Sequence, residues 1–396
     1  MAKQGLKSGY TTGSCATAAA KCAAMFLTGG VEPKAVNIEL PGGGALTIPV
    51  HRVERNQEEA VCSVIKDAGD DPDSTHGIEI EAKVSLLDSG QIVISGGKGI
   101  GVVTKKGLDQ PVGAHAINSV PREMIRKNLE EIKKRTQTEK GFHVIVSAVN
   151  GEEVAKKTFN PLIGIEGGIS VIGTTGIVEP MSEKALIDSI RVEMKVAREN
   201  YGASLLVMPG NYGKQFAKNI LHIDTSHSIK SSNFFKETLE YVKELNFEKV
   251  LIVGHIGKMI KLAGGIMNTH SAHADARMEI LAAYASKTGG DSSLAGEILG
   301  SKTCDEAIER IRQKMEIEPV FAEIVDRIVY HIKRKTGDET AIGVVVFSNE
   351  YGILGENETA KKLRKEFAHE EKSAHLHSGD GSGESRLFDA ESKGNH

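Results

Sequence analysis

The sequence predicts two domains of different construction, an α+β domain followed by an α/β domain built on a parallel sheet. Three observations lead there. The 396 residues exceed what one hydrophobic core usually serves, because cores stop growing and chains divide at this size. Between Ala203 and Gly355 one pattern recurs: a short apolar run, a glycine-containing loop, a helical segment. Upstream of it, apolar residues alternate with polar ones, the period of half-buried strands. The expected boundaries are 1–195 for the α+β domain, 196–368 for the α/β domain and 369–396 for a mobile polar tail.

Each element follows from its own residues. GYTTGSCATAAAK opens a helix that Thr12 or Ser14 can cap, with good helix formers behind it. Lys21 interrupts the alanine-rich run, which favours a cytoplasmic helix over a signal peptide. AVNIELPGGGALTIPV places a turn at Pro41 to Gly44 between two apolar runs, a hairpin pattern. In HGIEIEAKVSLLDSGQIVISGG, Ile78, Ile80, Ala82, Val84 and Leu86 share one face, and the polar turn beyond them predicts a second hairpin. Helices over PREMIRKNLEEIKKRTQ and SEKALIDSIRVEMKVAREN complete this half, the latter leading into the second domain.

The repeats of the second half are ASLLVMPGNYGKQFAKNI, EKVLIVGHIGKMIKLAGG and IGVVVFSNEYGILGENETAKKL. Amphipathic helices such as NFFKETLEYVKEL and PVFAEIVDRIVYHIKRK lie between them. Apolar runs alternating with helices imply a doubly wound parallel sheet covered on both faces. Its ligand belongs beyond the carboxyl ends of the strands, where the glycine loops sit. The tail, rich in Gly, Ser and charge, lacks core-forming residues.

Composition narrows the function. A net charge of −4 and the absence of tryptophan argue against nucleic acid as a partner. No uninterrupted apolar stretch is long enough to span a membrane. Cys15, Cys22, Cys62 and Cys304 form no CxxC pair, which points to reduced cytosolic thiols. Self-association is left open.

Candidate sites have competing readings. Gly254, Gly257 and Lys258 follow a strand and precede a helix, but the spacing is too short for a kinase-type phosphate loop, and Met259 replaces the magnesium-binding hydroxyl. That leaves a helix N-terminus open to a carboxylate or nucleotide edge, or a plain tight turn. His270, His273 and Asp275 on a helix would share a face for a metal or line a cleft as polar residues; no HExxH pattern supports the metal. Asp67, Asp70, Asp71, Asp73 and His76 in KDAGDDPDSTHG suit a cleft wall or turns. GGKGIGVVTKKGL combines glycines that admit a close ligand with Lys98, Lys105 and Lys106, while GISVIGTTGIVEPMS sets Thr174 and Thr175 among small residues. No GxSxG motif or Cys–His pair marks a nucleophile.

Taken in order, GYTTGSCATAAAK, KDAGDDPDSTHG, GGKGIGVVTKKGL, AINSVPREMI, GISVIGTTGIVEPMS and VGHIGKMIKLAGGIMNTHSAHADARMEIL resemble the CbiD family, from about Ser8 to Phe367. Its members are cobalt-precorrin-5B C(1)-methyltransferases of anaerobic cobalamin biosynthesis. Lys7 stands where the family has arginine, and His115 and Ser119 where it usually has prolines.

The resemblance implies a permuted ribosomal-S5-domain-2-like first domain and methyl transfer from S-adenosylmethionine to carbon C1 of cobalt-precorrin-5B, giving cobalt-precorrin-6A. The cobalt is carried by the substrate, so no metal site of the protein's own is expected. On this reading Thr11, Thr12, Lys98, Lys105, Arg122, Lys258 and Lys261 meet the substrate's carboxylates. The methyl donor falls to Gly210, Asn211 and Gly213, to Gly254 and Gly257, to Thr174 and Thr175, and to Asp224 at its ribose. His255 or His270 is the base, if the ring must lose a proton. The rivals are a tetrapyrrole carrier without chemistry and a small-molecule kinase using the Gly97 loop.

Overall fold

The structure is a computed structural model that describes residues 5–30 and 32–377. It divides into two compact units, Met1–Gly202 and Ala203–His396.

In the first unit β1 (Gly9–Tyr10) and α1 (Thr12–Gly29) precede the β2–β3 hairpin (Ala35–Glu39, Ala45–Pro49). Then come β4 (Arg52–Arg55), β5 (Glu59–Ile65), β6 (Glu79–Leu87), β7 (Ile92–Gly96), β8 (Val102–Val103), α2 (Ser119–Thr136) and β9 (Gly141–Ala148). The short α3 (Gly151–Ala155), α4 (Asn160–Ile163), β10 (Ile165–Glu166) and β11 (Ile177–Val178) lead to α5 (Glu183–Tyr201). The main sheet has the order β4-β5-β6-β9-β7. Helix α1 is buried throughout from Thr12 to Ala24, because alanine and cysteine let it lie close against β5, β6 and α2. Lys21 is buried with it, its ammonium donating to Glu131 (2.6 Å), Asn37 O (2.9 Å) and Asn128 (3.2 Å).

Several expectations are corrected here. Thr11, not Thr12 or Ser14, caps α1, its hydroxyl accepting from Ser14 N at 3.1 Å. The hairpin expected from β6 and β7 does not form, because β9 inserts between them, antiparallel to β6 and parallel to β7. The crossover through α2 makes that parallel pair, and a strand arriving from so far along the chain leaves no local signal. Ile80, Ala82 and Val84 do share the buried face, but Leu86 is 37% exposed at the strand's end. Helix α5 spans the expected boundary at 195 and ends at Tyr201, one residue before the first compact unit ends at Gly202.

The second unit alternates β12 (Ser204–Met208), α6 (Asn211–Asn219), β13 (Ile229–Lys230), α7 (Phe235–Glu244), β14 (Lys249–His255) and α8 (Ile256–Ala263). Helices α9 (Arg277–Lys287), α10 (Ser292–Leu299), α11 (Cys304–Arg312) and α12 (Glu318–Thr336) precede β15 (Ala341–Ser348), β16 (Gly352–Glu356) and α13 (Glu358–His377). The sheet order is β13-β12-β14-β15-β16, parallel but for the antiparallel β16 edge. Val250, Leu251, Ile252 and Val253 are all fully buried, since α6 and α13 cover one face and α8 and α12 the other. The third repeat departs from the expected strand–loop–helix: its glycine loop turns into β16 before α13 begins. Helix α13 continues past 369 to His377, into the segment expected as a tail; residues 378–396 lie outside the described residues.

Candidate functional site

Connections leave the second sheet in opposite directions at one place. From β12 the chain crosses through α6 outward to β13, then returns through α7 to β14 on the other side of β12. The crevice beyond the carboxyl ends of β12 and β14 is therefore the topological switch point, the general ligand position of open α/β sheets. Two loops flank it, Pro209–Gly210 before α6 and His255–Ile256 at the start of α8.

The glycines here have two jobs. A side chain at Gly213 would meet Val253 O at 2.8 Å, and one at Gly254 would collide with Met259 and touch Pro209 Cγ at 3.0 Å. Those two bring α6, β14 and both loops together. At Gly257 a Cβ would make only an ordinary 3.4 Å contact with the His255 ring, and at Gly210 it would meet nothing within 4 Å. The loops are thus open toward a ligand at Gly210 and Gly257. Helix α6 starts at Asn211 with no side-chain cap bond from Gly210, leaving its first amides for a ligand's oxygen or for water.

His255 ends β14 and caps α8: its Nδ1 accepts from Gly257 N at 3.2 Å. Burial holds its pKa below the ordinary value, with Asp305 opposing. The ring is then neutral with its proton on Nε2, a tautomer assigned from this bond. His255 therefore offers the crevice a donor; its lone pair is engaged, which argues against the general-base role expected of it. Tyr212, in the first turn of α6, lies with its ring centroid 6.1 Å from that of His255 and is 63% exposed. Sequence reasoning passed over Tyr212, though an aromatic immediately after Gly210 and Asn211 in a chain poor in aromatics was a usable signal.

The lysines are engaged with the backbone. Half-buried Lys258 donates to Pro209 O (2.9 Å) and Ser232 O (3.2 Å), and burial, then Lys230 and Lys261, hold its pKa below the usual range. Lys261 is 3% exposed and donates to Ala274 O (2.8 Å) and Thr269 O (3.2 Å). Both tie loops to α8, a structural use that the expected substrate contact did not include. Beside Lys258's acceptor Ser232, the buried Ser231 hydroxyl has no hydrogen-bond partner.

Other expected residues lie outside the two loops that flank this crevice. His270 and His273 lie in an exposed turn before α9 rather than on a helix, and His270 Nδ1 accepts from Ala272 N at 3.1 Å. Among the described residues no three His, Cys, Asp or Glu side chains are grouped to hold a metal. Asp224 is in an exposed loop, its carboxylate accepting from Ser226 N (2.9 Å) and Oγ (2.7 Å).

Thr11, Thr12, Thr174, Thr175, Lys98, Lys105 and Arg122 belong to the first unit. Thr12 accepts from Ile172 N (2.9 Å) and donates to Ser170 O (3.1 Å), fastening α1 to the segment that carries exposed Thr174 and Thr175. Arg122 donates to Ile117 O (2.8 Å) and Ile94 O (2.9 Å), and burial lowers its pKa. Lys105 donates to Leu162 O (3.3 Å) and lies over the Tyr201 ring, while Lys98 is exposed. The glycines of GGKGIG do not open the backbone to a ligand as expected. A side chain at Gly99 would collide with the Ala148 carbonyl, and one at Gly101 with Ile165, so these glycines let loops cross. The acidic segment is likewise internally satisfied: Asp73 pairs with buried Lys66 (2.6 Å), Asp67 with Lys7 (2.7 Å), and Asp71 accepts from Met181 N (2.8 Å).

The comparisons with known proteins agree on one family. The CbiD family model matches residues 1–180, and the model of the CbiD C-terminal domain matches residues 268–358. A Ruminiclostridium cellulolyticum protein named cobalt-precorrin-5B C(1)-methyltransferase is 45% identical over 87% of this chain and 89% of its own length. Proteins of the same name from Alkaliphilus metalliredigens and Methanocaldococcus jannaschii are 42% and 44% identical, over 90% and 83% of this chain and 94% and 90% of theirs. A 1.9 Å crystal structure of cobalamin biosynthesis protein (cbiD) from Archaeoglobus fulgidus is 29% identical, covering 69% of this chain and 84% of that one, with a TM-score of 0.38. An open crevice at the switch point of a parallel sheet places the second unit in the class of open α/β folds that bind small molecules there. Within that class, this chain belongs to the CbiD family.

Proposed function

We propose that the protein is the cobalt-precorrin-5B C(1)-methyltransferase of its organism, using S-adenosylmethionine and releasing cobalt-precorrin-6A. What carries the reading is 45% identity to a protein of that name along nearly the whole of both chains. S-adenosylmethionine supplies an electrophilic sulfonium methyl: a carbon–carbon bond forms at C1, the carbon–sulfur bond breaks, and sulfur keeps the electron pair. The residues at the switch point fit such a donor. Gly210 and Gly257 leave space where side chains would intrude, Asn211 begins a helix with unfilled amides, and His255 offers a donor. Gly213 and Gly254 keep that crevice narrow.

The corrinoid's carboxylates need cations. Lys98, Lys105 and Arg122, with Thr11 and Thr12, are our assignment in the first unit; in the second, taken by itself, Lys258 is our assignment, with Lys261 acting through the turn it holds. A charged groove of about 970 Å3 along α2 is a poorer fit, since Glu39, Glu123, Glu130 and Glu131 outnumber Arg126, Lys127 and Lys134 there. Holding methyl and carbon in line contributes most of the rate. No nucleophilic side chain is then needed. His270 stays as a base only if a bound corrinoid brings its turn to the ring, and Thr174, Thr175 and Asp224 touch the donor only on a similar condition.

We assign the two functional domains to 1–195 and 196–368, the first with a permuted ribosomal-S5-like arrangement. In support, α1 and α2 pack on one face of a mixed sheet with a single parallel pair. The cytoplasm is our assigned compartment, in keeping with four buried free cysteines. The test is anaerobic incubation with cobalt-precorrin-5B and methyl-labelled S-adenosylmethionine, followed by mass spectrometry of the corrinoid. One labelled methyl on the ring is expected. Tight corrinoid binding without transfer, beside an active relative, would favour a carrier instead.

A further inference from the structure

Four rings form a connected column in the second unit. Phe216 stacks on Phe347 at 3.9 Å with planes 9° apart, His255 meets Phe347 edge-on at 5.5 Å, and Tyr212 tilts against His255 at 6.1 Å. Phe216 is one helical turn after Tyr212, so the two project from the same side of α6. Phe216 and Phe347 are buried, and the column ends in water at Tyr212, 63% exposed. Tyr212 is at the carboxyl edge of the sheet, two residues after the open Gly210.

Exposure of this kind sets Tyr212 apart from comparable tyrosines. Tyr330 is also exposed, but Arg327 and Arg334 cover its ring at 4.2 and 5.9 Å. Tyr201 has Lys105 over its ring. Tyr212 is backed by His255, and the rest of its ring is exposed in the first turn of α6, next to the Gly210 loop. A flat aromatic ligand laid there would extend the column by one ring and remove apolar surface from water.

We propose that Tyr212 is the shelf on which the methyl donor's purine stacks, which makes it a specificity-determining residue for the adenosyl group. The inference rests on the methyltransferase reading above and adds which end of the donor this unit recognises. A neutral His255 suits the role, because its Nε2 proton can face a purine nitrogen or a ribose oxygen without placing a second positive charge beside the sulfonium. The ribose and the amino-acid end would then run from the shelf past Gly210 toward the open start of α6.

The test is isothermal titration of the full chain with S-adenosylhomocysteine, alone and with cobyrinic acid present. The proteins are the wild type, Tyr212→Phe and Tyr212→Leu, each with its melting temperature measured. Stacking on one aromatic ring is generally worth ~1–3 kcal/mol, so Tyr212→Leu should bind about 5-fold or more weakly, while Tyr212→Phe should stay within about twofold. Adenosine alone should lose the same factor, and the affinity for cobyrinic acid should not change. Wild-type affinity in Tyr212→Leu would overturn the shelf and leave the methyltransferase reading intact. If Tyr212→Leu melts early, an equally weakened Tyr212→Phe of normal stability would also overturn it, since the ring would then not be what binds. A wild-type protein that binds no S-adenosylhomocysteine under either condition would overturn the donor reading, and the shelf with it.

Discussion

Replacing Lys261 with methionine separates a structural lysine from a substrate-binding one. Lys261 is 3% exposed, and its ammonium holds the Asn268–Ala274 turn through two carbonyls, Thr269 O and Ala274 O. Hydrogen bonds from a charged donor contribute ~1.5–3 kcal/mol each, so the pair gives ~3–6 kcal/mol. Methionine keeps the apolar stem and removes a buried charge whose desolvation costs several kcal/mol, which offsets much of that loss. A net cost of about 2 kcal/mol remains, or ~30-fold in the opening of the turn. Hydrogen exchange of the ligand-free protein reads this directly: the Thr269 and His273 amides, bonded to Asn233 O and His270 O, should exchange ~30-fold faster. The α6 and α7 amides should not change. Unaltered exchange at Thr269 and His273, together with weakened corrinoid binding, would refute the structural assignment and return Lys261 to the substrate.

Three further outcomes test the first unit. Gly99 has φ +77° and no room for a methyl group beside Ala148 O, so Gly99→Ala should cost ~3 kcal/mol and lower its melting temperature by ~6–12 °C; Gly167→Ala, with φ +76° and open space, should lose about a third of that in the same calorimetric scan. Thr12→Val strands the Ile172 N–H and should cost ~1–3 kcal/mol in urea unfolding, with a smaller loss from Thr175→Val, whose exposed bonds to Ile177 N and O water can replace. At Asp73, burial opposes ionisation, but hydrogen bonds from Lys66 and Thr75 prevail and hold the carboxyl below its ordinary value. Its stabilisation is therefore complete above the unfolded pKa near ~4 and is lost as pH falls through the folded value, so wild type and Asp73→Asn should differ in melting temperature at neutral pH and converge in acid.

Local periodicity made much of the second unit readable. β12, β14 and β15 are apolar runs because helices cover both faces, and the glycine loops after β12 and β14 mark the switch point. The first unit was less legible where partners are distant. Nothing near Leu87 to Gln91 announces that β9 will separate β6 from β7, and the polar turn fits a wide connection as well as a tight one. Motif residues misled for a related reason. Gly99, Gly101 and Gly213 look like ligand loops, yet each is required because another backbone or side chain passes too close for a Cβ. Of the four glycines expected at the methyl donor in the second unit, Gly210 and Gly257 have open space for a ligand, and Gly213 and Gly254 do not. That distinction is three-dimensional and has no one-residue signature.

The cations carry a clearer message once their partners are known. Lys21, Lys66 and Lys127 meet Glu131, Asp73 and Glu39, so each charge is cancelled within a few ångströms. Lys105, Arg122, Lys258 and Lys261 donate instead to neutral carbonyls. Such bonds satisfy the donors and fix the side chain, but they leave the positive charge standing. For Lys258, burial and then the positive field of Lys230 and Lys261 lower the pKa. A cation fixed by carbonyls loses little entropy when an anion arrives and keeps its long-range pull on one. Within the second unit the bonds that hold Lys258 to Pro209 O and Ser232 O thus preorganise a positive charge beside the Pro209–Gly210 loop, where a carboxylate-bearing ligand would feel it.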